Sequence, residues 1–149
     1  MKGNEKILAA LNNLLSDELT AINQYIVHSE MCADWRYEKL HKAIEARAIE
    51  EMGHAEELIG RILFLEGTPI VSNLKKIHIG EDIEKQFNND KASEEEAVAA
   101  YNAAIKLAVE VGDNGTRKLL EATLSDEEDH LDWIEAQLTQ IEQMGVQRY

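Results

Sequence analysis

The stretch "EEMGH", Glu50 to His54, sets a glutamate and a histidine three residues apart with a methionine between them. It sits inside a long run with helical apolar spacing. On a helix, residues i and i+3 share a face, and the residue after i lies about 100° further round. Glu51 and His54 therefore point one way and Met52 points elsewhere. A second stretch, "EEDH" (127–130), repeats the acid and the histidine without the methionine.

The repetition extends beyond these two stretches. At an offset of 76 residues, Glu18 matches Glu94, Tyr25 matches Tyr101, Glu51 matches Glu127 and His54 matches His130. Each half reads Glu and, 33 residues on, Glu-x-x-His. Glu18 has Leu11, Leu14, Leu15, Ile22 and Tyr25 as neighbours on its helical face, so it is an acid within an apolar stripe. Glu127 is flanked in the same way by Leu120, Leu124, Leu131 and Ile134, and Glu94 by Phe87, Val98 and Tyr101. Glu51 has Ile44, Ala48, Ala55 and Leu58 but also Arg47, so its direction is less distinct.

Buried carboxylates are costly unless they are paired or bind metal, and these faces carry few cations. Four inward acids and two inward histidines suit two divalent ions, each gripped by one Glu-x-x-His pair. Glu18 and Glu94 complete the shells or bridge the ions. Carboxylate and imidazole donors favour iron or manganese, and the lack of thiolates disfavours a closed zinc site. Tyr25 and Tyr101 read as core aromatics bonded to the site, or, for Tyr25, as an electron donor during oxygen reduction.

Outward from these motifs, four helices are predicted: about Glu5 to Asp34, Glu38 to Glu66, Ile83 to Val111 and Thr116 to Met144. Gly67 and Pro69 stop the second, and "GDNG" (112–115) separates the third from the fourth, with Asp113 or Asn114 as the cap. Residues 67–82 lack a helical period. Extended, they reach about 50 Å, enough to run back along a second helix of about 43 Å and make helices two and three parallel. The expected fold is all-α, a four-helix bundle with a long crossover between helices two and three, one domain over residues 1–149.

A net charge of −14 argues against nucleic acid and anionic membranes as partners. Cys32 is the only cysteine, so an internal disulfide and a rubredoxin-type site are excluded. The N-terminus has no signal-peptide layout and no apolar run is long enough to span a membrane, so a cytoplasmic protein is expected.

The chain resembles bacterioferritin, the haem-containing branch of the ferritin family. The resemblance rests on "LLSDELTAINQY" (14–25), "EEMGHAEELIGRILFLEG" (50–67), "IGEDIE" (79–84) and "DEEDHLDWIE" (126–135), and runs from "MKG" to "MGVQRY". It implies that Glu18, Glu51, His54, Glu94, Glu127 and His130 are the ligands of a di-iron ferroxidase centre. It implies that Met52 is the axial ligand of a haem b shared between two subunits on a two-fold axis. It also implies a cage of twenty-four subunits that oxidises Fe(II), stores ferric mineral and releases it with electrons from a small ferredoxin. Met52, with Ile49 and Ile59, is expected to form an outer apolar patch at a dimer face. The residues alone also fit a methionine that fills a gap there. Some members add an iron site on the second helix. At those positions this chain has Ala46 and Glu50, so that site is expected to be absent or weakened. The resemblance also implies a short fifth helix lining the four-fold channels; the sequence stops at Tyr149, so either the tail is truncated or the channel differs.

Two other functions compete with storage. One is a di-iron oxidase or peroxidase that stores nothing and uses the same six ligands. The other is a metal-free helical scaffold, which the acids set among leucines argue against.

Overall fold

The computed structural model describes residues 1–149, with helices α1 (Glu5–Asp34), α2 (Glu38–Phe64), α3 (Ile83–Glu110) and α4 (Asn114–Met144). Three of the helix starts are capped by side chains. Asn4 Oδ1 accepts from Lys6 N at 2.8 Å, Asp82 from Lys85 N at 2.9 Å and Asp113 from Thr116 N at 3.0 Å. Asp113 rather than Asn114 is thus the cap, and α4 begins two residues earlier than its apolar period suggests.

Helices α2 and α3 end slightly short of their expected limits, because the chain reverses through left-handed residues. After α2, Glu66 has φ 62°, and the N–H of Gly67 closes on Ile62 O at 2.9 Å. After α3, Gly112 has φ 73° and Asp113 N–H closes on Ala108 O at 2.9 Å. The α1–α2 corner repeats the pattern with Arg36 at φ 70° and Tyr37 N–H on Cys32 O. Only one of these three turns places glycine at the left-handed position. The glycine that marks the end of α2 in the sequence, Gly67, follows the strained residue.

The directions of the helices follow from their pairings. Tyr25 meets Glu94 and Tyr101 meets Glu18, so α1 and α3 are antiparallel. Glu50 meets His130 while Arg61 meets Asp113, so α2 and α4 are antiparallel. With α1 and α2 joined as a hairpin, α2 and α3 run parallel, as the long crossover requires.

Two apolar clusters fill the interior. One contains Leu11, Leu15, Leu58, Ile62 and Leu120, and the other contains Cys32, Ile44, Phe87, Ile134 and Ile141. Full burial of each large aliphatic side chain contributes about 1.5–3 kcal/mol. Along α1, Glu18 falls between Leu15 of the first cluster and Ala21 of the second. Along α2, Glu51 and His54 fall between Ala48 and Leu58. The apolar layers on both sides hold a charged layer in place.

The crossover, Leu65 to Asp82, is tied down by a ladder of polar residues spaced four apart on α1. Asn12 Oδ1 accepts from Ile70 N at 2.9 Å, and Ser16 Oγ donates to Asn73 O. Thr20 Oγ1 accepts from Lys75 N at 2.9 Å, and Gln24 Oε1 from His78 N at 3.1 Å. His28 Nε2 accepts from Gly80 N at 3.0 Å, which leaves Nδ1–H to donate to buried Asp90 at 2.9 Å. The crossover backbone therefore finds its hydrogen bonds on side chains rather than in regular structure. No helix is long and apolar enough to cross a membrane.

Candidate metal centre

Glu18, Glu51, His54, Glu94, Glu127 and His130 come together in the charged layer, one or two from each helix. None is more than 4% exposed. The ambiguity at Glu51 resolves inward. Arg47 turns to the surface, where it pairs with Glu50 at 3.2 Å and lies over the Trp133 ring.

The donors form two overlapping groups. Glu18, Glu51, His54 and Glu127 make one, and Glu51, Glu94, Glu127 and His130 make the other. In each group the ligand atoms lie within 4.8 Å of one another. Glu51 and Glu127 belong to both, which suits them to bridging, and Glu18 and Glu94 each belong to one. The two histidine rings lie 6.2 Å apart, centroid to centroid.

Several carboxylate oxygens here have nothing to bond. Glu18 Oε2, Glu94 Oε2 and Glu127 Oε1 are buried without a hydrogen-bond partner, although Glu127 Oε1 lies 3.0 Å from His54 Nδ1. Buried polar atoms are nearly always satisfied, so orphans aimed into one small space mark a place for cations. Hard oxygen donors with imidazole match divalent iron or manganese.

The electrostatics show the same tension. Burial raises the pKa of Glu18 well above the usual carboxylate value, and Glu51 adds to it. Burial does the same to Glu94, reinforced by Glu127. Burial opposes charge on His54 and His130, but the carboxylates around them outweigh it. His54 is raised far above its ordinary value and His130 to about 12. Glu127 is lowered despite burial, by the nearby Glu94 carboxyl and by the two histidines on either side of it. Protons on these groups offset part of the buried negative charge.

Further residues orient the ligands. Tyr25 donates to Glu94 Oε1, and Tyr101 donates to Glu18 Oε1 at 2.6 Å. The tyrosines thus bond the ligand carboxylates directly, each across to the other helix. His54 Nε2 lies 2.9 Å from Asp126 Oδ2, and His130 Nε2 lies 2.8 Å from Glu50 Oε2. An Nε2–H held this way turns Nδ1 towards the centre. The sequence reading missed Asp126 as a partner, and took Glu50 only as the remnant of another site. The signal was present: Glu50 and Asp126 obey the same offset of 76 residues.

Met52 lies on the outer surface of α2, 45% exposed. Ile49, one turn away, is exposed, and Ile59 is half-buried, packed in part against the core. A side chain added at Gly53 would meet nothing within 4 Å, so the space beside Met52 is open. An accessible thioether beside an apolar side chain and open space fits a planar apolar group such as haem.

A family model for the ferritin-like domain matches residues 8–144. Bacterioferritin of Rhodobacter capsulatus is 40% identical over 149 residues, taking in 100% of this chain and 92% of that protein. Bacterioferritin of Mycolicibacterium paratuberculosis is 40% identical, covering 100% of this chain and 94% of its own. That of Brucella melitensis biotype 1 is 37% identical, with 100% and 92% covered. The chain belongs to the bacterioferritin family. Membership agrees with the sequence resemblance over the whole chain, and the four-helix architecture is that of a ferritin-like domain. In this chain Ala46 stands on α2 one turn before Glu50.

Proposed function

We propose that the chain stores and detoxifies iron as a ferroxidase, with residues 1–149 acting as one ferritin-like unit. The observation that carries this reading is the pair of overlapping four-donor groups whose buried carboxylate oxygens lack partners. Two Fe(II) ions enter as substrate. Glu18 and His54 hold one, Glu94 and His130 hold the other, and Glu51 and Glu127 lie between them. Each ion gives one electron to dioxygen or hydrogen peroxide, and the Fe(III) product moves on to a mineral core.

The protein's own groups make room for the charge. Binding displaces the protons carried by Glu18, Glu94 and the histidine Nδ1 atoms, so six donors accept two dications without leaving net charge buried. Asp126 and Glu50 keep the Nε2 protons and hold the rings in place. Tyr25 and Tyr101 hold Glu94 and Glu18 in their terminal positions. Tyr25 would also be a one-electron donor when the oxidant needs an electron beyond the two that the irons give, leaving a tyrosyl radical and passing its proton towards Glu94.

Met52 would hold haem b together with the same methionine of a second subunit. Haem supplies one-electron transfer, and a thioether ligand favours its reduced state. This chain's part is to present Met52 on the surface, away from the metal centre. The assembly is a homo-oligomeric cage of twenty-four subunits built from two-fold dimers, in the cytoplasm, with a small ferredoxin as electron donor for iron release.

The test is an aerobic Fe(II) titration of the metal-free protein to high loading, followed by ferric absorbance and solubility. Storage predicts oxidation far beyond two irons per subunit with the iron still soluble. Oxidation that stops near two would instead assign a non-storing di-iron oxidase or peroxidase.

A further inference from the structure

A well of about 500 Å³ leads down to the metal centre between α1 and α3, beneath the crossover. Glu18, Glu51, Glu94 and Glu127 line its depths, and Asp17, Glu96, Lys75, Lys76 and His78 line its outer part. The depths are buried, whereas Lys75, Lys76, His78 and Glu96 are exposed, so the well joins the ligands to solvent. Asp17 and Glu96 are the carboxylates that an arriving dication would meet first. The mouth also carries cations from the crossover.

The crossover is fixed where it passes the well. Lys75 N–H donates to Thr20 Oγ1 at 2.9 Å, and Thr20 Oγ1–H donates to Ser16 O at 2.7 Å. This holds the Lys75 backbone one turn from Asp17. From there the Lys75 ammonium reaches the Asp17 carboxylate and pairs with it. Asp17, Lys75 and Glu18 all line the same well, so the pair stands on the route to a buried carboxylate of the centre. Lys76 lines the same well but makes no ion pair.

We propose that Lys75 is a stopper at the mouth of the route to the metal centre: its ammonium occupies the cation subsite offered by Asp17, and an incoming divalent ion competes with it for that carboxylate before descending to Glu18 and Glu94. The inference rests on the metal centre proposed above and concerns the rate of filling, not capacity. The pair is partly exposed, 45% at Lys75 and 21% at Asp17, so solvent screens it and it yields readily. It slows loading without blocking it. Salt acts on the native protein in two opposing ways: it loosens the stopper and also screens the attraction of the acidic mouth.

The test is stopped-flow uptake of Co(II) by the metal-free, assembled protein, read by cobalt absorbance over a range of ionic strength. Lys75→Met should fill about two- to fivefold faster at low salt, the range an exposed pair supports. Its rate should fall more steeply with salt than that of the native protein. Lys76→Met removes the same charge from the same well but no pair, and should change the rate far less. Final loading should be two ions per chain in all three proteins. Equal acceleration in both variants would mean general electrostatics and overturn the stopper, as would an unchanged or slower rate in Lys75→Met. If the native protein itself takes up no Co(II), the metal centre falls and the stopper with it. Both lysines are exposed and the bond from Lys75 to Thr20 is made by backbone, so the variants keep the fold.

Discussion

Glu18 and Glu94 show how the site behaves before metal arrives. Both have pKa values raised by burial and by neighbouring acids, above the ordinary 4.5. His54 and His130, ordinarily near 6.5, are also raised, because surrounding carboxylates outweigh burial. All four groups hold protons in the folded chain that the unfolded chain gives up at lower pH. Between about pH 5 and 9 the native state binds more protons, so the metal-free protein loses stability as pH rises. Glu127, with its lowered pKa, works the other way, but only as pH falls through the carboxylate range. Thermal melts of metal-free protein should therefore show Tm falling from pH 6 to 9. Co(II) competes with the same protons, so the Tm rise that it causes should grow over that range. A metal-free Tm that climbs with pH would refute this assignment of protons.

The tyrosines belong to the same scale. Tyr25→Phe and Tyr101→Phe each strip a donor from a buried carboxylate whose other oxygen already lacks one. Each should cost about 1–3 kcal/mol in denaturant melts of the metal-free protein. If Tyr25 served electron transfer alone, its loss would leave that stability unchanged.

At the scale of elements, the four helices were legible because their apolar period and breakers agree. Gly112 and Asp113 announced the α3–α4 corner, and the crossover's length fixed the direction of α3. The α1 ladder was not legible. Nothing in the sequence says what Asn12, Ser16, Thr20, Gln24 and His28 bond until the path of the crossover is known. The turn after α2 was misplaced because the left-handed residue is Glu66, where sequence logic looks for glycine. Arg47 clouded Glu51 because a sequence does not tell which of two neighbouring faces an arginine takes. The carboxylate partners of the histidines went unread although the repeat contains them, since both are partly exposed and look like surface acids.

The crossover's last anchor gives a sharp contrast between two glycines. A Cβ at Gly80 would lie 2.3 Å from Gln86 N and 2.6 Å from Gln86 Cα, against backbone that cannot step aside. Gly80→Ala should destabilise by about 1–3 kcal/mol or more and loosen hydrogen exchange in residues 73–80. At Gly53 an added Cβ meets nothing within 4 Å. Gly53→Ala, in mid-helix, should leave stability unchanged or raise it by about 1 kcal/mol. Similar losses at both positions would contradict this account of the crossover.

At the scale of the whole molecule, α2 serves two surfaces. Its inner face supplies Glu51 and His54, and its outer face presents Met52 about 100° away. The two functions should therefore separate. Met52→Leu is expected to abolish haem absorbance while the Co(II) capacity stays as in the native protein. A variant that lost both would mean that Met52 supports the metal centre itself. The net charge of −14 sets the background for every cation the molecule meets, and the charged layer between two apolar clusters gives that charge a destination.

The most direct test of that destination is an anaerobic Co(II) titration of the metal-free protein, counted by absorbance and by metal analysis after desalting. The account predicts saturation at two ions per chain. Glu18→Gln and Glu94→Gln should each weaken one ion, while Glu127→Gln weakens both. Saturation at one ion, or binding that survives loss of all three acids, would contradict a centre built from two overlapping groups.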